Sequence, residues 1–234
     1  MTQSADVDSA AAPHPTVVVL HGLARTNRSV AGLCRFLESN GYPTWARTYP
    51  SRRLGVEALA AEVASWIRAD LGDQPLLAVT HSLGGILLRH MADQLDWRGA
   101  VLLAPPNNGS RLARAFNDVP LFRWLYGPAG IDVAAADRWP PPPEPFAVIA
   151  GDRHPSIGNP ISWVSQAMRV FPPSVPSDGT VAVDETRHAG MADFAVVEAS
   201  HTWIMDSPHA RAMVLSFFAS GRLRRDGPTG SNQL

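Results

Sequence analysis

The chain has 234 residues, 45% of them apolar, and a formal net charge of −1. That is enough length for one domain with a sizeable core, and the charge balance gives no reason to expect nucleic acid, an acidic substrate or an anionic membrane surface as a partner. One cysteine, Cys34, excludes an intramolecular disulfide, and no apolar run approaches the ~20 residues of a membrane span.

Residues 1–15 carry neither the basic segment nor the apolar core of a secretory signal and read as a disordered tail, so a soluble, cytoplasmic chain is expected. Residues 16–20 (TVVVL) form a β-branched run, a buried strand that ends at His21-Gly22. Val30, Leu33, Cys34 and Leu37 then recur at helical spacing, and Asn40-Gly41 closes that helix. Cys34 lies on its apolar face and reads as a small buried hydrophobe. Residues 43–49 are a second strand, closed by Pro50. Val56, Leu59, Ala60, Val63, Ile67 and Leu71 mark an amphipathic helix over residues 54–71.

Further strands are expected at residues 76–79, 100–103, 147–150 and 194–198, with a helix from Gly84 to about Leu95. Ser207 and Pro208 supply an N-cap and a first-turn proline for a closing helix to about Ser220. Residues 224–234 read as a second disordered tail. Alternating helices and short strands, apolar on both faces, predict an α/β domain over residues 16–223: a mostly parallel central sheet with helices on both faces. Two long excursions, at about 105–145 and 152–179, interrupt the alternation and are expected to act as a short cap or as pocket walls.

The chemistry centres on Thr80-His81-Ser82-Leu83-Gly84, followed by Gly85. A strand that turns sharply into a helix needs small neighbours on either side of the turn residue, which is the content of the G-x-S-x-G elbow. Thr80 departs from it, standing where glycine is usual. Ser82 then lies at a helix N-terminus, where free N–H groups favour negative charge. The plainer alternative makes Ser82 only a helix cap. His21-Gly22-Leu23 follows the first strand, so the Leu23 and Leu83 N–H groups are the candidate donors to an oxyanion. His21 itself is expected to order its loop by hydrogen bonding. His81 shapes the elbow or lines the pocket, with its side chain directed away from that of Ser82.

Two carboxylates compete as partner to a base: Asp178, in the turn SDGTV, and Asp152, at the end of the strand that closes at Gly151. His201, after FAVVEAS, is the candidate base, and His188 is a rival that follows no apolar strand. The order Ser82, Asp178, His201 is the chain order of serine hydrolases built on a nucleophile elbow. His154 with Asp152 lacks further ligands at metal-binding spacing, so neither a metal nor a cofactor is expected. Asn107-Asn108-Gly109-Ser110 reads as a turn with Ser110 capping the next helix, and secondarily as a wall of the site.

These segments resemble the α/β-hydrolase superfamily, and within it the bacterial lipase and esterase-like branch: VVVLHGL, VTHSLGG, LLAPPNNGS, SDGTVAV and VEASHTWIMDSP. The resemblance implies ester hydrolysis through a serine triad of Ser82, Asp178 and His201. Its D-G-x-V turn favours Asp178 over Asp152 as the acid, and no calcium-dependent lipase pattern is present. The excursions are dense in large apolar residues. Phe116, Leu121, Phe122, Trp124 and Trp163, with His81, are the expected pocket, suited to a small-molecule ester with a short to medium acyl chain. An acyltransferase or amidase using the same triad, and a non-catalytic binding protein on the same shell, are the alternatives.

Overall fold

The computed structural model describes residues 14–116, 118–119, 127–133, 139–153, 163, 165–166, 170–172 and 174–224. Most of both tails lies outside them, as do Leu121, Phe122, Trp124 and His154. The described elements run β1 (Thr16–Leu20), α1 (Ala31–Ser39), β2 (Thr44–Trp45), α2 (Val56–Leu71), β3 (Leu76–His81), α3 (Leu83–His90), β4 (Trp97–Leu103), α4 (Arg111–Phe116), β5 (Phe146–Gly151), α5 (Val183–Thr186), β6 (Asp193–Val197) and α6 (Pro208–Ser220).

Six strands form one sheet in the order β2-β1-β3-β4-β5-β6. Every pairing is parallel. Alternate strand residues enter two cores. Val18, Leu20, Ala78, Leu102 and Val148 pack with Leu59, Val63 and Ile67 of α2 and Ile86 and Leu87 of α3. Val17, Val19, Val79, Val101 and Ile149 pack on the other face with Leu33, Cys34 and Leu37 of α1 and Met213, Val214 and Phe217 of α6. Burial on both faces is why these strands are continuous apolar runs rather than alternating ones.

Two elements are shorter than their sequence suggests. The helix after Ser82 stops at His90, because the Met91 carbonyl accepts the Gln94 N–H at 3.0 Å and the Trp97 indole N–H at 3.1 Å. A continuing helix would offer that oxygen to residue 95. The second strand has only Thr44 and Trp45 in the sheet. Beyond them the chain leaves the edge so that Tyr49 can stack on His21, ring centroids 3.8 Å apart.

α6 begins with Pro208 in its first turn, and the Ser207 hydroxyl accepts the Ala210 N–H. Among the described residues no helix is long and apolar enough to cross a membrane.

Candidate functional site

Parallel strands deliver the loops after their C-terminal ends to one edge of the sheet, the usual ligand side of open α/β sheets. Ser82 follows β3 directly, with φ +52° and ψ −118°. A non-glycine residue in that region costs about 1–3 kcal/mol, so the surroundings must enforce it. They do so by close approach. A Cβ on Gly84 would lie 2.8 Å from the Leu20 carbonyl oxygen, and the Ser82 N–H donates to the Leu103 carbonyl at 2.9 Å. Ala24 and Ala104, in the loops after β1 and β4, also have positive φ. Among the described residues, positive φ at non-glycine positions thus falls in or at the loops that follow three neighbouring strands.

The Ser82 hydroxyl lies 3.0 Å from His201 Nε2, and His201 Nδ1 lies 2.6 Å from Asp178 Oδ2. The Asp178 carboxylate therefore fixes the imidazole with its proton on Nδ1, leaving Nε2 to accept from the hydroxyl. Asp178 is 1% exposed and His201 7%. Asp178 Oδ1 accepts the Thr180 and Val181 N–H groups at 2.9 and 2.8 Å, and the His201 N–H donates to the Asp178 carbonyl at 3.1 Å. A side chain on Gly151 would begin 2.3 Å from the Ala199 carbonyl and 3.1 Å from Asp178 Cβ, so the end of β5 must be bare for the two loops to meet. Asp152, the next residue, is exposed and makes no bond to His201. His188 lies elsewhere, its ring edge-on to Phe146.

His21 is fully buried, and burial pushes its pKa down to about 4. Its neutral ring donates from Nδ1 to the Gly22 carbonyl at 2.8 Å and accepts the Tyr49 N–H at Nε2, while the Tyr49 hydroxyl donates to the His21 carbonyl. The ring therefore orders the loop that carries Leu23. A Cβ on Gly22 would stand 3.4 Å from Ser82 Cβ, which sets the Gly22–Leu23 backbone beside the serine. Among the described residues the Leu23 and Leu83 N–H groups have no backbone acceptor.

The Asn107–Ser110 stretch serves as a clasp, a role its sequence does not signal. Asn107 Nδ2 donates to the Thr186 carbonyl, the Asn108 N–H to that of Glu185, and Asn108 Nδ2 to those of Asp184 and Arg187. Arg111 grips the Asp184 carboxylate with two nitrogens at 2.8 and 2.7 Å. The buried Glu185 carboxylate accepts the Arg111 N–H at 2.5 Å and the Ala182 N–H at 2.9 Å. The Ser165 hydroxyl donates to the Gly179 carbonyl at 3.0 Å. Both excursions thereby hold the turn that bears Asp178. Ser110 also caps α4, accepting the Ala113 N–H at 3.2 Å.

Arg89 of α3 is buried and donates to the carbonyls of Asn107, Trp139 and Pro140. Burial lowers its pKa to about 10, still well above neutrality.

Of the expected pocket residues, Phe116 packs with Leu112, Phe171 and Ala182 in an apolar cluster between the excursions and the acid-bearing turn. Trp163 is 51% exposed. His81 is buried, and its Nε2–H donates to the His201 carbonyl at 2.8 Å. Among the described residues no cluster of three or more His, Cys, Asp or Glu side chains could hold a metal ion.

A hydroxyl, imidazole and carboxylate joined in this order can pass the hydroxyl proton to the ring as the oxygen attacks an electrophile. No protein-family model matches the sequence, and no curated protein matches it. Solved structures do resemble it. The mature form of the Bacillus licheniformis lipase BlEst2 is 18% identical over 88% of this chain and 91% of its own, with a TM-score of 0.70. Its propeptide form is 16% identical over 94% of this chain and 52% of its own, with a TM-score of 0.69. A metagenomic carboxyl esterase is 18% identical over 81% of this chain and 65% of its own, with a TM-score of 0.61. At these identities the likeness is one of fold.

Proposed function

From the α/β-hydrolase fold that this chain adopts, we propose that it is a serine hydrolase of carboxylic esters. The observation that carries this reading is the 3.0 Å and 2.6 Å path from the Ser82 hydroxyl through His201 to Asp178, set at the N-terminus of α3. The lipase and esterase names of the structural neighbours agree with it.

In this mechanism Ser82 Oγ bonds to the ester carbonyl carbon while its proton passes to His201 Nε2. The carbonyl π electrons move onto oxygen, where the Leu23 and Leu83 N–H groups stabilise the negative charge. Asp178 steadies the imidazolium through the Nδ1 hydrogen bond. Collapse expels the alcohol, protonated by His201, and leaves an acyl-serine. Water, deprotonated by His201, then releases the acid. The density of large apolar residues in the two excursions is what favours an apolar acyl group of short to medium length in this reading.

The test is hydrolysis of a p-nitrophenyl ester series, from acetate to palmitate, by the wild type and Ser82→Ala, with a fluorophosphonate probe to label the serine. Turnover and labelling by the wild type, with turnover in Ser82→Ala lower by on the order of 10⁶, support the reading. Folded wild-type protein that neither turns over nor labels overturns it. Labelling without ester turnover would move an amide or acyl-transfer reaction ahead.

A further inference from the structure

We propose that His81 is a positioning residue for His201: its Nε2–H, bonded to the His201 carbonyl at 2.8 Å, ties the base-bearing loop to the serine elbow. This role rests on the serine-hydrolase reading above. His81 precedes Ser82 in the chain, so one residue joins the two loops: its backbone leads into the elbow and its side chain reaches 120 residues ahead. The ring lies 4.8 Å from the His201 ring, centroid to centroid, at 49°. On its other side it abuts the loop after β1, where a Cβ on Gly22 would come within 2.8 Å of Nδ1. The imidazole thus fills the gap between the loop offering the Leu23 N–H and the loop carrying His201.

The chemistry of the site argues for a role beyond filling space. His81 is 1% exposed, and its Nδ1 has no partner among the described residues. An apolar side chain of similar size would avoid the cost of burying that nitrogen, and the Nε2–H bond is what such a side chain could not make. Burial and the neighbouring His201 hold the ring well below its ordinary pKa. It therefore stays a neutral donor and does not place a second cation beside the imidazolium that forms during turnover. A bond to the main chain of His201 fixes where the base begins without competing for either ring nitrogen.

The experiment compares His81→Phe, which keeps a ring and loses the donor, with His81→Gln, whose amide can restore it. Both are assayed by kcat and KM on a p-nitrophenyl ester and by NMR of the imidazole nitrogens and the His201 Nδ1 proton. We expect kcat to fall about 10- to 100-fold in His81→Phe at unchanged KM. The His201 Nδ1 proton signal should shift or broaden, and His81→Gln should recover both. Unchanged kcat and an unchanged His201 signal in folded His81→Phe overturn the proposal.

The wild type supplies a check that needs no variant: His81 should be the Nε2–H tautomer, and an Nδ1–H tautomer or a protonated ring at neutral pH overturns the role. Loss of the ester-hydrolysis reading is told apart by the signals. An inactive wild type whose His201 resonance still responds to His81→Phe and recovers in His81→Gln keeps the positioning bond and discards only the reaction.

Discussion

A side chain on Gly85 would begin 3.3 Å from the Thr80 hydroxyl oxygen, so these two residues share one space behind the serine elbow. Threonine stands at the strand position where this motif usually has glycine, and the helix supplies the missing room with a second glycine after Gly84. Gly85→Ala would also press on Pro105 Cβ at 3.1 Å and Leu102 Cδ2 at 3.3 Å. It should destabilise the protein by about 1–3 kcal/mol, and Thr80→Ala in the same chain should return part of the loss. Thr80 Oγ1 is buried without a partner among the described residues. Thr80→Val, nearly the same shape, should therefore raise stability by about 1 kcal/mol. Urea unfolding of the three variants measures all of these shifts.

The two carboxylates after β5 separate by substitution. Asp178→Asn keeps the size of the side chain but favours the wrong imidazole tautomer, and kcat should fall by about 10⁴. Asp152→Asn alters an exposed side chain and should leave kcat where it was. Equal losses in both variants would remove Asp178 from its assigned part.

Glu185 joins α4 to the acid-bearing turn through the Arg111 and Ala182 N–H groups. Glu185→Ala strands the buried Ala182 N–H and the part-buried Arg111 N–H and should cost on the order of 2–3 kcal/mol in stability. Because the turn that loosens also holds Asp178, kcat should drop at a temperature where the variant is still folded. A calorimetric scan beside the ester assay tests the pair of effects.

His21 sets a pH dependence of stability. Its folded pKa is lowered by burial to about 4, against ~6.5 for an unfolded histidine. The unfolded chain thus takes up the proton first as pH falls. Stability is full above about pH 6.5 and declines toward pH 4, by on the order of 3 kcal/mol from this group. His81, shifted the same way, adds to the decline. Urea midpoints across that range should fall with acid, and His21→Gln should flatten the slope.

What the sequence makes legible is what is local. Residues 76–90 carry strand, turn and helix in one run, so the β3–Ser82–α3 unit can be read without knowledge of its partners. The alternating apolar runs likewise foretell a parallel sheet between two cores. The clasp cannot be read this way, because Asn107 and Asn108 bond to carbonyls 76 to 79 residues downstream. Nor does the sequence show that His81 spends its donor on the His201 backbone, since a histidine before a serine has no stated partner. The shortness of β2 is a tertiary effect too: Tyr49 is drawn from the sheet edge by His21, 28 residues earlier.

Arg89 has a consequence for how this chain could change over time. Its guanidinium holds the chain at Asn107, Trp139 and Pro140 by their carbonyl oxygens, and every residue has a carbonyl. The grip is indifferent to which side chains the intervening segment carries. Apart from residues 108–116, which serve the clasp and its apolar cluster, that stretch can change its side chains while the elbow helix keeps hold of its two ends. Under the ester-hydrolase reading proposed above, selectivity can then drift apart from the Ser82–His201–Asp178 path.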